Sequence, residues 1–307
     1  MKRRVVSIAF LLLIAAIGLY WIELATPKRD FFIERKGVLL RSDRAVSAEV
    51  GEIHETLELE SSTGLVVEMR VLRPADEADR KYPLLLMVGG HRTGKDAVDL
   101  VGVPQRIAYA AIDYPYRGSH SLDGFWQSIA AAPKIQDAFL DTPPALSLAL
   151  DWLLDQPWVD VRNVNLVGVS LGVPFAAVAG GLDTRFTQVF LLHGGGDNLS
   201  WVMHAGRNSI ENETLRRLAA RGALLLVYGN SFDTRQWIRQ IAPRPLVVVA
   251  AHDDDYVPQA SQEPLIEAAK SESVELVWTE GLHIDPERQI ELGQLLEIVR
   301  SRIRAPE

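Results

Sequence analysis

The stretch Asn163-Val164-Asn165-Leu166-Val167-Gly168-Val169-Ser170-Leu171-Gly172-Val173-Pro174-Phe175-Ala176-Ala177-Val178-Ala179 decides the fold. Its first seven residues are apolar and β-branched enough for a strand, and those from Leu171 onward suit a helix. Gly168-x-Ser170-x-Gly172 therefore falls on a sharp strand-to-helix turn. A serine on such a turn adopts a strained backbone, and side chains at Gly168 or Gly172 would collide with the neighbouring chain. The turn lifts the Ser170 hydroxyl above the sheet edge. It also aims the amides that come after it, at a helix N-terminus, toward developing negative charge. Pro174 sits in the first helical turn, where a missing N–H costs little. Ser170 is the candidate nucleophile.

Working outward, short apolar runs at residues 83–88, 106–112, 164–169, 188–192, 245–251 and 274–278 read as strands buried on both faces of a parallel sheet. Helix-period segments at 145–154, 171–179, 259–269 and 286–303 separate or succeed them. Upstream, alternation over residues 52–73 around Ser61-Ser62-Thr63-Gly64 reads as an antiparallel hairpin. The expected fold is an α/β domain over residues 52–304, with a mostly parallel sheet, an antiparallel N-terminal hairpin and helices on both faces. The charged residues 30–51 are expected to be a linker, and 119–142 and 197–241 to be cap-like insertions. The run Leu224-Leu225-Leu226-Val227 suits either an extra strand or a turn of buried helix.

A serine hydroxyl attacks only when a base takes its proton. Of the seven histidines, His283 comes after the 274–278 strand in the loop Glu280-Gly281-Leu282-His283, which places it at the carboxyl edge of the sheet beside Ser170. His193 and His204 come after the 188–192 strand and are positioned to line a pocket. The base in turn needs a carboxylate to hold its tautomer and stabilise its charge. His252-Asp253-Asp254-Asp255-Tyr256-Val257-Pro258 closes the 245–251 strand at the same edge. The residues alone leave Asp253, Asp254 and Asp255 open, with a solvated acidic turn or a metal site including His252 as further readings.

Composition narrows the classes. A hydrophobic share of 48% with 23% charged residues excludes disorder and fibrous repeats. Lys+Arg of 32 against Asp+Glu of 40 gives a net charge of −8, which argues against nucleic acid as a partner. The absence of cysteine removes thiol catalysis, Cys-ligated zinc and disulfides. At the amino end, Lys2, Arg3 and Arg4 precede an apolar run over residues 5–24, interrupted only by Ser7, Gly18 and Glu23. About 20 such residues can cross a bilayer, and the cationic flank would stay in the cytoplasm. Residues 1–29 are thus expected to be a signal anchor holding the catalytic body outside the cytoplasm, in the periplasm or beyond the cell. Ala16-x-Gly18 offers a signal-peptidase site and the alternative of a secreted protein. The run continuing through Leu24 favours retention.

Taken together, the chain resembles an α/β-hydrolase of the esterase and dienelactone-hydrolase or prolyl-oligopeptidase-like branch over residues 52–302. The resemblance rests on Tyr82-Pro83-Leu84-Leu85-Leu86-Met87-Val88-Gly89-Gly90-His91, Tyr114-Pro115-Tyr116-Arg117-Gly118, the Ser170 turn, and Ala242-Pro243-Arg244-Pro245 before the acid loop. It implies that the acid is the Asp of a D-x-x-V-P pattern, which selects Asp254, with Asp197 as the position used by other members. It also implies an oxyanion hole from the backbone N–H groups of Leu171 and His91. Members often have His-Gly where this chain has Gly89-Gly90-His91, and a third small residue where Val173 would narrow the pocket floor. The implied activity is hydrolysis of a small-molecule carboxylic ester by Ser170, Asp254 and His283 through an acyl-enzyme, with no metal or organic cofactor. A serine peptidase of the prolyl-oligopeptidase-like type, or a non-catalytic binding protein on the same fold, is the alternative. Phe125 and Trp126 in the first insertion, Trp201 in the second, and His193 are the expected pocket residues.

Overall fold

The computed structural model describes residues 15, 18–75, 80–90, 93–118, 125–269 and 273–303, the side chains of 125–129 excepted. Helix α1 (Arg29–Lys36) leads into three strands, β1 (Leu39–Glu49), β2 (Glu52–Ser61) and β3 (Val66–Pro74). Strand β4 (Tyr82–Val88), a 3-10 segment (Gly94–Val101) and β5 (Ala108–Ile112) come next, then helix α2 (Phe125–Leu154) and β6 (Val159–Val169). The second half runs α3 (Gly172–Leu182), β7 (Gln188–Leu192), α4 (Asn198–Ala205), α5 (Glu213–Leu226), a 3-10 turn (Gly229–Phe232) and α6 (Thr234–Ile241). It closes with β8 (Leu246–Ala251), α7 (Gln259–Ala268), β9 (Val274–Thr279) and α8 (Gln289–Arg300).

The strands form one sheet in the order β1-β2-β3-β5-β4-β6-β7-β8-β9. Pairing is antiparallel from β1 to β5 across β2 and β3, and parallel from β5 onward. Apolar residues on successive strand positions serve opposite faces, because the side-chain period is two. Leu84, Leu86 and Val88 pack with α2 and α3 in the larger core cluster, and Leu85 and Met87 pack toward α8 and the 3-10 segment in a second. The order reverses at β4, whose neighbours are β5 and β6. Ligands in open α/β sheets bind outside the carboxyl ends of the strands at such a reversal.

The six parallel-sheet strands match the apolar runs, but three expectations need correction. Residues 30–51 are not a linker: they form α1 and β1, and Phe32 is 2% exposed between Phe232 and Trp237. Strand β1 is an edge strand with nearly all residues exposed, so its polar, charged sequence is what a sheet edge tolerates. The segment 119–142 is largely the front of the long helix α2, which buries Ala138, Leu140, Asp141 and Thr142. Within 197–241, α6 belongs to the core, with Trp237, Ile238 and Ile241 packed against α3. The 224–227 run is the end of α5 and not a strand.

The expected anchor lies mostly outside the described residues. Positions 18–25 are helical, and among the described residues no helix is long and apolar enough to cross a membrane.

The buried aromatic of α1 makes the correction testable. Phe32→Ala should lower unfolding stability by about 3 to 5 kcal/mol, the cost of a core cavity of that size. A urea midpoint unchanged from wild type would return residues 30–51 to the status of a linker.

Candidate active site

The site begins with a backbone conformation. Ser170 comes directly after the last residue of β6 with φ of 53°, left-handed geometry that costs a non-glycine residue about 1 to 3 kcal/mol. Its N–H donates to the Leu192 carbonyl at 2.9 Å, and its carbonyl accepts from Val173 N–H at 3.0 Å. The turn is possible only because α3 passes close under its neighbours. A Cβ on Gly172 would lie 2.1 Å from the Val88 carbonyl oxygen, and one on Gly168 would lie 2.5 Å from Ala176 Cβ.

His283 and Asp254 meet this serine. The Ser170 hydroxyl lies 2.8 Å from His283 Nε2, and His283 Nδ1 lies 2.8 Å from Asp254 Oδ2. The other Asp254 oxygen accepts the N–H groups of Tyr256 at 2.9 Å and Val257 at 2.6 Å. Its side chain is fully enclosed. A carboxylate oxygen facing Nδ1 accepts its proton in a hydrogen bond and leaves Nε2 to accept from the serine. Asp255 makes only a long contact, 3.4 Å, to the His283 amide, and Asp253 is exposed. Asp197 is engaged elsewhere, capping α4 through the Leu199 amide and bonding Ser200. Tyr256 stacks on the His283 ring, with centroids 5.2 Å apart. Nothing in the sequence singled it out.

His193 has a role other than lining a pocket. Like Ser170, it sits at a strand end with positive φ, 50°, and its N–H donates to the Val249 carbonyl at 2.8 Å. The Ile284 amide donates to its Nδ1 at 3.1 Å, so the ring proton sits on Nε2 and faces Thr279 Oγ1 at 3.2 Å. His193 thereby ties the residue after His283 to the end of β9. Burial pushes its pKa down to about 4; Asp254 opposes that shift and His283 adds to it, and the ring is neutral.

The remaining expectations divide. Leu171 heads α3, directly after Ser170. His91 lies outside the described residues, as do the side chains of Phe125 and Trp126. The strand end that precedes His91 does abut Ser170: a Cβ on Gly90 would lie 3.8 Å from Ser170 Cβ. The turn there is tied down by Tyr114, whose hydroxyl donates to the Gly89 carbonyl at 2.6 Å, and by Thr93, which bonds the Gly90 carbonyl. Trp201 sits half-buried on α4 and does not line the cavity beside Ser170. Val173 does not narrow the pocket floor either. It is buried in the core beneath Gly194, where a Cβ would come within 2.4 Å of it. His252 stacks on Trp278 instead of joining a metal site. Among the described residues one group, His193, Asp254 and His283, has ligand atoms within 4.8 Å of one another, and each of these residues is already hydrogen-bonded within the protein.

A reversed parallel sheet with a strained serine after β6, an acid after β8 and a histidine after β9 defines a known architecture. The chain has the α/β-hydrolase fold. No protein-family model and no curated protein matches the sequence. Among solved structures, it is similar to a cold-adapted esterase from an Arctic intertidal metagenomic library, at 17% identity and TM-score 0.61, covering 86% of this chain and 100% of that one. It is likewise similar to acetyl xylan esterase 1 from Thermoanaerobacterium sp. JW/SL YS485, at 14% identity and TM-score 0.61 over 92% of each chain. A glucuronoyl esterase from Solibacter usitatus aligns at 15% identity and TM-score 0.55, covering 90% of this chain and 92% of that one.

In this fold the neutrality of His193 has a measurable consequence. Its folded pKa of about 4 lies below the ordinary 6.5, so between those values the unfolded chain binds more protons. The associated stability is complete above pH 6.5 and is lost as pH falls toward 4. His193→Asn keeps an acceptor for the Ile284 amide but cannot take up the proton. The stability gap between wild type and this variant should shrink by about 2 kcal/mol from pH 8 to pH 5 in urea unfolding. A gap independent of pH would mean that His193 is not buried and neutral.

Proposed function

We propose that this protein is a serine hydrolase that cleaves carboxylic esters of small molecules through an acyl-enzyme. The observation that carries the reading is the unbroken chain of contacts from Ser170 Oγ to His283 Nε2, and from His283 Nδ1 to Asp254, on a strained turn at the head of a helix. The esterases among its structural neighbours support the choice of ester over other acyl substrates.

In this mechanism His283 takes the hydroxyl proton as Ser170 attacks the ester carbonyl. Asp254 offsets the charge that forms on the imidazole. The oxyanion develops beside the Leu171 amide at the positive end of α3, with Gly90 close to Ser170 on the other side. Protonated His283 then gives its proton to the leaving alcohol. Water, deprotonated by the same histidine, attacks the acyl group and frees Ser170. His193 takes no proton in the cycle and acts as a positioning residue, holding the loop that carries His283.

A fluorophosphonate probe should label wild type on Ser170 and leave Ser170→Ala unlabelled. Failure of wild type to label would favour a binding protein built on this fold. Asp254→Asn should lower kcat for p-nitrophenyl esters by the order of 10³-fold or more, with Asp253→Asn and Asp255→Asn far milder. Equal losses in the three variants would remove Asp254 from its role. Faster turnover of chromogenic dipeptides than of p-nitrophenyl esters would make the enzyme a peptidase.

A further inference from the structure

A cavity of about 380 Å³ opens beside Ser170 and His283 and descends between the sheet and α8. Its polar lining is confined to the mouth. Deeper in, β4 and β6 present Leu85, Met87 and Val167, and α8 presents Leu292, Leu296 and Val299. The α8 residues belong to a stripe at positions 292, 295, 296 and 299, the spacing that normally closes a helix onto a sheet. Here Leu295 and Val299 are buried and share the second core cluster with Leu85, Met87 and Val167, but Leu292 and Leu296 are only partly buried, and the stripe also lines the cavity. An apolar gap of this size forfeits packing contacts that interiors ordinarily make, unless something apolar occupies it.

We propose that this cavity is the acyl pocket of the enzyme and that its substrates are esters of unbranched fatty acids of about eight to twelve carbons. The inference rests on the ester-hydrolase reading and specifies its substrate class. Depth sets the chain length. Met87 is level with Val167, three residues below Ser170, and Leu85 is level with Asn165, five below. At about 3.3 Å per residue the pocket descends roughly 10 to 16 Å, the reach of an extended medium-length chain. Chemistry sets the class. A sugar would leave hydroxyls without partners among leucine, valine and methionine side chains, whereas each methylene buried there gains about fourfold. The descending group is the acyl chain because it stays bonded to Ser170 between the two steps. The alcohol leaves past Tyr256, which is 52% exposed.

The test is the chain-length profile of kcat/KM on p-nitrophenyl acetate, butyrate, octanoate, dodecanoate and palmitate. Octanoate or dodecanoate should exceed acetate by tenfold or more, with palmitate falling again. Leu296→Trp, which fills the gap from α8, should reduce the octanoate-to-acetate ratio at least tenfold; Leu292→Trp serves if that variant does not fold. A readout without turnover uses Ser170→Ala, whose melting temperature should rise by about 2 °C or more with saturating decanoate, and should not rise once Leu296→Trp is added. Hydrolysis that favours acetate, or a ratio unmoved by both tryptophans, overturns the acyl pocket while leaving the ester-hydrolase reading intact. Absence of turnover on every ester sinks that reading, and with it the acyl role of the cavity, even if decanoate binds.

Discussion

The close passage of α3 across the end of β4 is the constraint on which the rest of the site depends. With Gly172 against the Val88 carbonyl and Gly168 against Ala176, the helix can start two residues after the strand, and the first of those two, Ser170, takes left-handed φ. The strain at Ser170 is offset by the parallel ladder on either side, since β6 is paired with β4 and β7 along its length and Ser170 N–H closes onto Leu192. Relaxing the turn would require breaking the best-packed part of the sheet. The hydroxyl therefore stays in one place, held by the backbone around it.

The same solution recurs one strand over. His193 leaves β7 as Ser170 leaves β6, with positive φ and an amide bonded to a carbonyl of the neighbouring strand. The chain then runs through Gly194-Gly195-Gly196, each glycine pressed against Val173, Ser261 or the backbone of Leu265. These contacts bring α7 and the acid loop under the site. Two adjacent strands thus end in matching turns, one carrying Ser170 and the other carrying His193, which secures the loop of His283.

The parallel strands were legible because burial on both faces leaves an almost continuous apolar run, a pattern that needs no knowledge of partners. The turn at Ser170 was legible because glycine is required at both flanks. The choice among Asp253, Asp254 and Asp255 was not legible from the residues alone, because what separates them is the turn that hands two amides to one Asp254 oxygen and frees the other for His283. Residues 30–51 were misread because an exposed edge strand shows charge without apolar alternation, as a tether does. The lining of the cavity was not legible for a deeper reason. Leucine and valine lining a cavity are the same residues, at the same helical spacing, as leucine and valine filling a core, and only the distance between α8 and the sheet distinguishes them. Aromatic residues drew attention to the insertions instead, yet Phe232 and Trp237 are core. His193 carried one unused signal, a histidine directly between a buried strand and three glycines.

Charge around His283 completes the physical account. Two imidazole rings lie 5.9 Å apart beside a single enclosed carboxylate. Were His193 protonated, the Asp254 charge would be shared between two cations, and any positive charge on His283 would face repulsion at short range in a poorly solvated space. Burial prevents this by holding His193 neutral, and the Ile284 amide fixes which of its nitrogens carries the proton. The geometry that steadies the loop is thus also the electrostatic condition under which His283 can act as a base, and one residue satisfies both because its ring is tied to backbone and threonine groups that bear no charge.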